Sequence, residues 1–421
     1  MRVAVVTDLL RPNGAGLMAL AQADILSHDH EVALLSGSAS STLGSSLFDH
    51  RTFVGSEIIL DQPLTAGEGL HLRRDFGAWL ATNLNDFGAD AVMTHNIGRV
   101  LDQNQVADLS RTVPVGATIH DQWWIRDAHY TFRHNASVRH EFEPRRARGG
   151  AHGYGHLASV GQRAGRLVGI APSRWLRDEW AAVYPTVPCL HLQNPLDTEA
   201  FPLSSRSDAR ARLGLRSDST IVGFVGGPNQ PRKGFGRLAS AVRQLIHKRK
   251  DLILLVVGGS DSSIGASAAQ MLSPASPLNA GLERPPAPGV APSIASNTIV
   301  VGGVDRSLMA DLYSSMDLLV HPSAADNLPT VPIEAGLAGT RPLATAVGGT
   351  EETVAFEADL LDPEIGTAAL AGVIDAELDA AKVESDEVRR ARRDILSARF
   401  GHATHRPLLN GALHWIVGGE R

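Results

Sequence analysis

Several residue types are scarce in this chain of 421 residues, and each scarcity excludes a class of protein. Cys189 is the single cysteine, so an internal disulfide and a cysteine-built zinc site are both excluded, which fits a reducing cytosol. No apolar run reaches the roughly 20 residues that cross a membrane, and the first residues lack the apolar segment of a signal peptide. We therefore expect a cytoplasmic protein without an integral membrane segment.

The chain also lacks an excess of basic charge and is poor in lysine. Its formal net charge is −6, which argues against a general affinity for nucleic acid. Only four of the 39 basic residues are lysines, and three of these lie in charged contexts where solvation explains them. Lys233 differs because it stands in PRKG beside a glycine-rich turn.

Length and periodicity predict an α/β protein with two domains. Apolar content of 43% and charged content of 20% are ordinary for a soluble globular protein. Short apolar runs alternate with helical patterns through both halves, which is typical of doubly wound Rossmann-like domains with parallel sheets. We expect domains over residues 1–193 and 194–395, a helical segment over 396–421 that packs back toward the first domain, and a flexible insertion over Ser260–Ser296.

The stretch from His321 to Val354 is the most informative part of the chain. An apolar run, DLLV, predicts a strand, and PIEAGLA predicts a helix that ends at Gly339. The loop between them carries Asp326, and the helix carries Glu334. Open α/β sheets bind ligands at the carboxyl ends of strands, and the unpaired amides of a first helical turn suit a diphosphate. A solvated acidic loop is the alternative.

Cations follow the first strand of the second half. FVGGPNQPRKGFGRL places Arg232 and Lys233 at a strand-to-helix turn, where they can face a diphosphate from the side opposite Asp326. A capped helix start with a solvated Arg-Lys pair is the alternative.

Strand ends in the first half supply further candidates. The small residues of the turn with Asn13, Gly14 and Gly16 let a ligand approach the backbone. The turn is not a full GxGxxG, so it is weak evidence for a dinucleotide, and a simple strand-to-helix turn is the equal alternative. TIHDQWW places aromatic and polar groups together, which suits a sugar, although a His-Asp pair buried for packing is the alternative. The candidates on this side of the sheet are His95, Asn96, His120, Asp121 and Trp123.

Histidines and arginines crowd the segment over residues 126–166. No HExxH pattern or comparable carboxylate support occurs there, so we expect solvated loop side chains and no metal site. Binding of a phosphate-bearing or acidic acceptor is a second possibility for the arginines. Serine-hydrolase and P-loop motifs are absent from the sequence as well.

Taken together, these motifs resemble glycosyltransferase family 4. DNLPTVPIEAGLAGTRPLATAVGGTEETV resembles the family's carboxylate-loop-glutamate signature, in the DNLP variant common among exopolysaccharide and colanic-acid-type enzymes. PRKGF, TIHDQW, PSRWL and NPLDTEAF extend the likeness in the expected order along most of the chain.

The resemblance implies a GT-B fold, two Rossmann-like domains facing across a cleft, with an acceptor-binding N-terminal domain and a donor-binding C-terminal domain. It implies that Glu334 holds the ribose and Asp326 the donor sugar. His120 would reach that sugar from the other domain, and His120, Asp326 and Lys233 would form the catalytic set. The turn with Asn13, Gly14 and Gly16 would lie near the phosphate or the acceptor, and the candidate acceptor contacts are His95, Asn96, Asp121 and Trp123. The other implied donor contacts are Arg232, Gly303, Val304, Asn327, Leu328, Thr330 and Val331.

The implied reaction is transfer, with retention of configuration and without a metal or other cofactor, from a GDP- or UDP-sugar to a hydroxyl- or thiol-bearing acceptor. A small soluble acceptor of secondary metabolism is somewhat favoured over a polysaccharide or lipid-linked one, and the expected state is monomer or homodimer. Departures from the family lie in the first carboxylate, which is Asp, and in Gly226-Gly227, where the family has Gly-Arg. A nucleotide-sugar epimerase and a noncatalytic nucleotide-sugar-binding protein remain as alternatives.

Overall fold

The chain folds into two compact units. The computed structural model describes residues 1–10, 14–39, 49–53, 66–126, 155–228, 230–258, 290–292, 297–302 and 304–418. Among these, the first unit takes the residues up to Leu196 together with those from Phe400 onward, and the second takes Asp197–Arg399. The chain therefore passes between the units twice, a few residues after each border expected from the sequence.

The first unit is built on a parallel sheet. Its strands follow the order β3-β2-β1-β4-β5-β6-β7, and each neighbouring pair is parallel. The central strands are buried apolar runs, as expected when helices cover both faces. The strands are β1 (Arg2–Leu10), β2 (Glu31–Ala39), β3 (Asp49–Thr52), β4 (Ala91–Thr94), β5 (Val115–Thr118), β6 (Leu167–Ala171) and β7 (Cys189–His191).

Helices connect these strands. They are α1 (Gly14–Ser27), α2 (Ala66–Phe87), α3 (Gln103–Leu109), α4 (Trp123–Arg126), α5 (Gly155–Arg163) and α6 (Arg174–Val183).

The second unit repeats the plan. Its sheet has the order β10-β11-β9-β8-β12-β13-β14, parallel except for the pair β10–β11. The predicted α/β class with two Rossmann-like sheets is confirmed. The strands are β8 (Thr220–Val225), β9 (Leu252–Val257), β10 (Val290–Pro292), β11 (Thr298–Val301), β12 (Leu318–His321), β13 (Arg341–Thr345) and β14 (Leu360–Leu361).

The remaining helices are α7 (Arg206–Leu213), α8 (Phe235–Ile246), α9 (Arg306–Ser315), α10 (Thr330–Leu337), α11 (Thr367–Lys382), α12 (Asp386–Phe400) and α13 (His402–Gly418). Within the described part of the chain, no helix is both long and apolar enough to cross a membrane.

Strand β10 corrects one expectation. The sequence predicts a flexible insertion over Ser260–Ser296, yet Val290–Pro292 pairs antiparallel with β11 at the sheet edge. Three residues are too few to show a period of two, and an edge strand accepts proline because its missing N–H need not join the ladder. Most of the insertion lies outside the described residues, as does most of the 126–166 segment.

Helix α13 returns to the first unit. Its Leu409, Leu413 and Ile416 pack into the core that also holds Val3 of β1 and Met93 of β4. The chain enters this helix beside Leu196, whose N–H donates to the Phe400 carbonyl over 2.8 Å. The core of the first unit is thus completed by the last part of the chain.

Strand order fixes where each unit can bind a ligand. The order reverses between β1 and β4 in the first sheet and between β8 and β12 in the second. Loops leaving such neighbouring strands run to opposite faces and leave a crevice at the carboxyl ends. In the second unit, Lys233 follows β8 and Asp326 follows β12.

Candidate functional site

The loops that follow β8 and β12 are joined backbone to backbone. Gly234 has φ +73°, and a Cβ built on it would lie 1.9 Å from the carbonyl oxygen of Pro322. The N–H of Ala324 donates to the Arg232 carbonyl over 2.6 Å. Because a side chain at residue 234 would push the two loops apart, glycine there allows Lys233 to approach the β12 loop.

Asp326 gathers basic and polar side chains around one carboxylate. Lys233 Nζ lies 2.6 Å from its Oδ2, and His321 Nε2 and Ser323 Oγ lie 3.2 and 3.3 Å from the same atom. Arg232 Nη1 lies 3.4 Å from Oδ1. We call these five residues the Asp326 cluster. Its carboxylate is buried, with 7% of the side chain exposed, so the cations stabilise a charge that burial alone would penalise.

The electrostatics of the cluster favour a charged carboxylate and a neutral imidazole. Burial alone would raise the pKa of Asp326, but Lys233, the His321 hydrogen bond and Arg232 outweigh it and hold that pKa well below its usual range. Burial lowers the pKa of His321, which therefore donates from a neutral ring. The cluster then carries two cations and one anion, and the remaining positive charge is available to an anionic ligand.

Glu334 is held by a second buried partner. It lies on α10 with 8% exposure, and Tyr313 of α9 donates its hydroxyl proton to Oε2 over 2.7 Å. Burial and the neighbouring Glu334 carboxylate raise the pKa of Tyr313 well above its usual value, so the phenol stays a donor. Arg306 Nη2 lies 4.0 Å from the other oxygen, Oε1. Tyr313 thereby holds one carboxylate oxygen, Oε2, and the other oxygen, Oε1, faces the more exposed Arg306.

Helix α10 opens directly after the Asp326 loop. Its N-cap is Pro329, which has no side-chain acceptor for the first-turn amides. Thr330 and Val331 are half-buried, and the preceding Leu328 is buried. The unpaired N–H groups and the helix dipole therefore point to the same end of the sheet as the Asp326 cluster, an arrangement that suits an anion. The helix begins at Thr330, two residues before the expected start.

The other predicted donor contacts divide between buried and half-buried positions. Asn327 is 3% exposed and belongs to the buried part of the loop, whereas Val304 is half-buried after β11. Gly303 lies outside the described residues.

The first unit carries a buried histidine pair at its own strand ends. His95 follows β4 and is 2% exposed; its Nδ1 lies 2.8 Å from Nε2 of His120, which follows β5. Its Nε2 lies 2.8 Å from Oε1 of Gln22 on α1. Burial lowers the pKa of both rings, that of His120 to about 4. His120 is half-buried, so it forms the accessible end of this chain.

The remaining first-unit candidates have local structural contacts. Asp121 Oδ1 accepts from the Trp123 N–H over 2.9 Å, which helps to start α4. The half-buried Trp123 lies against Gly98, and the carbonyl of Asn96 accepts from the Asp8 N–H over 2.8 Å. Gly14 and Gly16 open α1, and Asn13 lies outside the described residues.

Five residues of these sites are missed by sequence reasoning: Ser323, Arg306, His321, Tyr313 and Gln22. His321 ends a strand, Tyr313 sits in an ordinary amphipathic helix, and Gln22 lies in an apolar helix. A polar side chain on the buried face of α1 or α9 is the signal that could have found the last two, because buried polar groups need partners. Among the described residues, no group of three or more His, Cys, Asp or Glu is arranged to hold a metal ion.

The part of the chain that contains the Asp326 cluster and Glu334 is similar to a known protein family. Residues 219–376 match the family model described as glycosyl transferases group 1, a stretch that begins before β8 and contains the Asp326 cluster and Glu334. D-inositol 3-phosphate glycosyltransferase 1 of Catenulispora acidiphila is 32% identical over 186 residues, which cover 42% of this chain and 40% of that relative. The chain thus matches less than half the length of this curated relative.

Solved structures share the fold over the whole chain. Sucrose-phosphate synthase from Thermosynechococcus elongatus superposes with a TM-score of 0.75 at 17% identity, covering 100% of both chains. Anabaena Alr3699/HepE in complex with UDP-glucose gives a TM-score of 0.69 at 17% identity over 98% of this chain and 99% of that one. At such identities the likeness shows the fold alone.

Proposed function

We propose that this protein is a glycosyltransferase that moves a sugar from a nucleotide diphosphate sugar to an acceptor. The observation that carries the proposal is the meeting of Lys233, Asp326 and Glu334 with the start of α10 at the carboxyl ends of β8 and β12. The family match over residues 219–376 supports the same reading.

The chemistry follows from the charges in this part of the fold. Breaking the bond between the sugar and the diphosphate builds negative charge on the leaving oxygen. Lys233, Arg232 and the first-turn amides of α10 supply preorganised positive potential for that charge. Glu334, oriented by Tyr313, offers Oε1 to ribose hydroxyls, and Asp326 lies next to the cations where the sugar would sit. We infer a retaining reaction that needs no metal.

Substrates and setting are inferred from the relatives and the composition. A structural neighbour is described in complex with UDP-glucose, and curated relatives are named D-inositol 3-phosphate glycosyltransferases. We infer a UDP- or GDP-sugar as donor, a small hydroxyl- or thiol-bearing acceptor, and a cytoplasmic setting. The second unit would bind the donor and the first the acceptor. Membership of the DNLP exopolysaccharide branch stays a prediction.

Nucleotide binding is the direct test. Calorimetric titration with UDP, GDP, ADP and dTDP should give one preferred nucleotide. Glu334→Ala should weaken its binding by at least about tenfold, which corresponds to about 1.4 kcal/mol. Glu387→Ala, which removes an exposed carboxylate from the first turn of α12, should bind like the unchanged protein. Full affinity in Glu334→Ala would contradict the assignment.

Product analysis separates transfer from the alternatives. With the preferred nucleotide sugar and inositol phosphate or another polyol, the proposed activity releases the nucleoside diphosphate only as acceptor is consumed. Conversion of the donor to another nucleotide sugar without acceptor would identify an epimerase. Tight donor binding without turnover across hydroxyl and thiol acceptors would identify a noncatalytic binding protein.

A further inference from the structure

The histidine chain of the first unit has a fixed direction. Gln22 presents its amide oxygen to His95 Nε2 at 2.8 Å, and an amide oxygen only accepts hydrogen bonds. The shared proton therefore resides on His95 Nε2. His95 is 2% exposed, and a ring buried this deeply next to another imidazole stays neutral. A neutral ring has one N–H, so His95 Nδ1 is an acceptor.

That acceptor determines the proton position on His120. Its Nε2 lies 2.8 Å from His95 Nδ1, and two acceptors at that distance would repel each other. His120 must therefore donate from Nε2–H, which in a neutral ring leaves the lone pair on Nδ1. The rings lie edge to edge, with centroids 5.0 Å apart and planes at 29°, so turning the His120 ring over would move its Nε2 away from His95 and break this hydrogen bond. The more deeply buried His95 therefore determines both the ring orientation and the tautomer of His120.

The hydrogen-bonded series of Gln22, His95 and His120 lies where the first sheet can bind a ligand. His95 and His120 follow β4 and β5, and Gln22 lies on the helix that follows β1. Strands β1 and β4 flank the point where the strand order reverses, so all three elements meet at the ligand-binding end of the first sheet. A wrong tautomer at His120 would exchange a donor for an acceptor at that end, and such an exchange is costly in hydrogen-bond recognition.

We propose that His95 is a positioning residue, held by Gln22, that sets His120 in the Nε2–H tautomer and in one ring orientation for substrate recognition by the first unit. Its bearing on sugar transfer rests on the proposed function, whereas the tautomer itself does not. His95 is not thereby a catalytic residue, because its ring nitrogens are occupied by Gln22 and His120 and it acts through His120.

The test begins with a readout that needs no reaction. Long-range ¹H–¹⁵N NMR on ¹⁵N-histidine-labelled full-length protein distinguishes protonated from unprotonated ring nitrogens, and His120→Asn identifies the signals of residue 120. We expect Nε2–H at both His95 and His120. His95→Phe keeps the ring volume but removes both hydrogen bonds, so His120 should populate both tautomers. Gln22→Met should shift the populations in the same direction, and Gln22→Glu, which still accepts, should keep Nε2–H.

A second buried histidine of the same unit provides the matched control. His405 is 1% exposed on α13 and its Nδ1 lies 3.1 Å from the Gly401 carbonyl. His405→Phe should cost stability in the same unit without altering the His120 signals. An Nδ1–H tautomer at His120 in the unchanged protein, or an unaltered His120 in His95→Phe, would overturn the proposal.

Kinetics then separate this inference from the proposed function. In an active preparation, His95→Phe should lower kcat by about tenfold or more with a smaller change in donor KM. The acid limb of its pH–rate profile should move to lower pH, because Phe keeps His120 buried but removes the acceptor that stabilises the protonated His120 ring. His405→Phe should change neither. If the tautomer shifts but kcat and the pH profile do not, the positioning role is wrong. If the tautomer behaves as expected and no preparation transfers sugar, the proposed function fails while the tautomer assignment stands.

Discussion

A buried ammonium is tolerated at residue 233 because its counter-charge is fixed 2.6 Å away. Lys233 is 15% exposed and the Asp326 carboxylate 7%. Burial deprives both charges of hydration, so each relies on the other for stabilisation. Removing one partner of such a pair leaves an uncompensated buried charge, which costs more than the pair contributes as a whole. The same pair therefore matters for stability as well as for binding.

Lys233→Met should destabilise the second unit by about 3 kcal/mol, the lower end of the usual cost for breaking a buried pair. Lys248→Met is the control, because Lys248 is 73% exposed and 4.0 Å from Asp375, and such surface pairs contribute about 0–1 kcal/mol. Urea unfolding of both variants measures the difference. If Lys233→Met/Asp326→Asn is no more stable than Lys233→Met alone, the coupling between the two side chains is not what the geometry indicates.

The hydroxyl of Tyr313 tests whether Glu334 needs orientation. Tyr313→Phe removes the donor 2.7 Å from Oε2 without changing the ring, and a hydrogen bond to a charged group contributes about 1.5–3 kcal/mol. We expect weaker binding of the preferred nucleotide, by about tenfold, in calorimetry. Tyr184→Phe removes a buried hydroxyl that donates to the Trp124 carbonyl in the first unit, and it should leave nucleotide affinity unaltered. Equal affinity in both variants would contradict a role for Tyr313.

At this scale the sequence indicates residue types and their place in the fold, but not their side-chain contacts. Lys233 and Asp326 are singled out by residue type and by their place after strands, and Glu334 by its place on the following helix; their roles stay predictions. Their partners are not predictable, because Lys233 and Asp326 are 93 positions apart and only the strand order brings them together. The hydrogen bond between His95 and His120 is likewise not predictable from the sequence, since two strand-end histidines can also face solvent.

Among the elements, the turn between β8 and α8 depends on a single glycine, Gly234. Gly234 has a left-handed backbone, and the added Cβ would meet the Pro322 carbonyl at 1.9 Å. That contact involves backbone atoms on both sides, so a side chain cannot rotate away to relieve it.

Gly234→Ala should destabilise the second unit by more than the roughly 1–2 kcal/mol of a left-handed alanine alone. Gly372→Ala is the matched control, since Gly372 lies in α11 with no atom within 4 Å of an added Cβ. There alanine should stabilise by up to about 1 kcal/mol through helix propensity. Thermal unfolding measures both signs, and a neutral Gly234→Ala would show that the two loops are not held as closely as described.

Element types are largely predictable here, and boundaries and edges are not. The long apolar run LILLVV predicts β9, because a parallel strand covered on both faces needs apolar residues throughout. β10 escapes prediction because it is an edge strand of three residues. The start of α10 is predicted two residues late, because Pro332 indicates a helix start. The helix in fact begins at Thr330 and accommodates Pro332 within its first turn.

Across the molecule, several buried histidines make stability depend on pH. Burial lowers the pKa of His95, His120, His321 and His405. In the unfolded chain they take up protons near pH 6.5, whereas the folded state resists protonation, for His120 down to about pH 4. The unfolded state therefore binds more protons in this window, and stability falls as pH falls.

Urea midpoints measured between pH 7.5 and pH 5 should decline, with a loss in the free energy of unfolding of about 2 kcal/mol from the His120 shift, since pH 5 lies about 1.5 pH units below the unfolded pKa and each unit corresponds to about 1.4 kcal/mol. His95→Phe removes one of these groups, so its decline should be shallower. A midpoint that is constant or rises toward pH 5 would contradict neutral buried rings.

The path of the chain has a consequence for its synthesis. Leu409, Leu413 and Ile416 complete a core whose other members include Val3 and Met93, so one hydrophobic interior draws on both ends of the chain. A ribosome delivers Val3 roughly 400 residues before Leu409, and at about 5–20 residues per second that interval lasts tens of seconds. Throughout it, the apolar surface that α13 will cover has no permanent partner, while the contiguous 197–399 unit is already entirely synthesised when α13 begins.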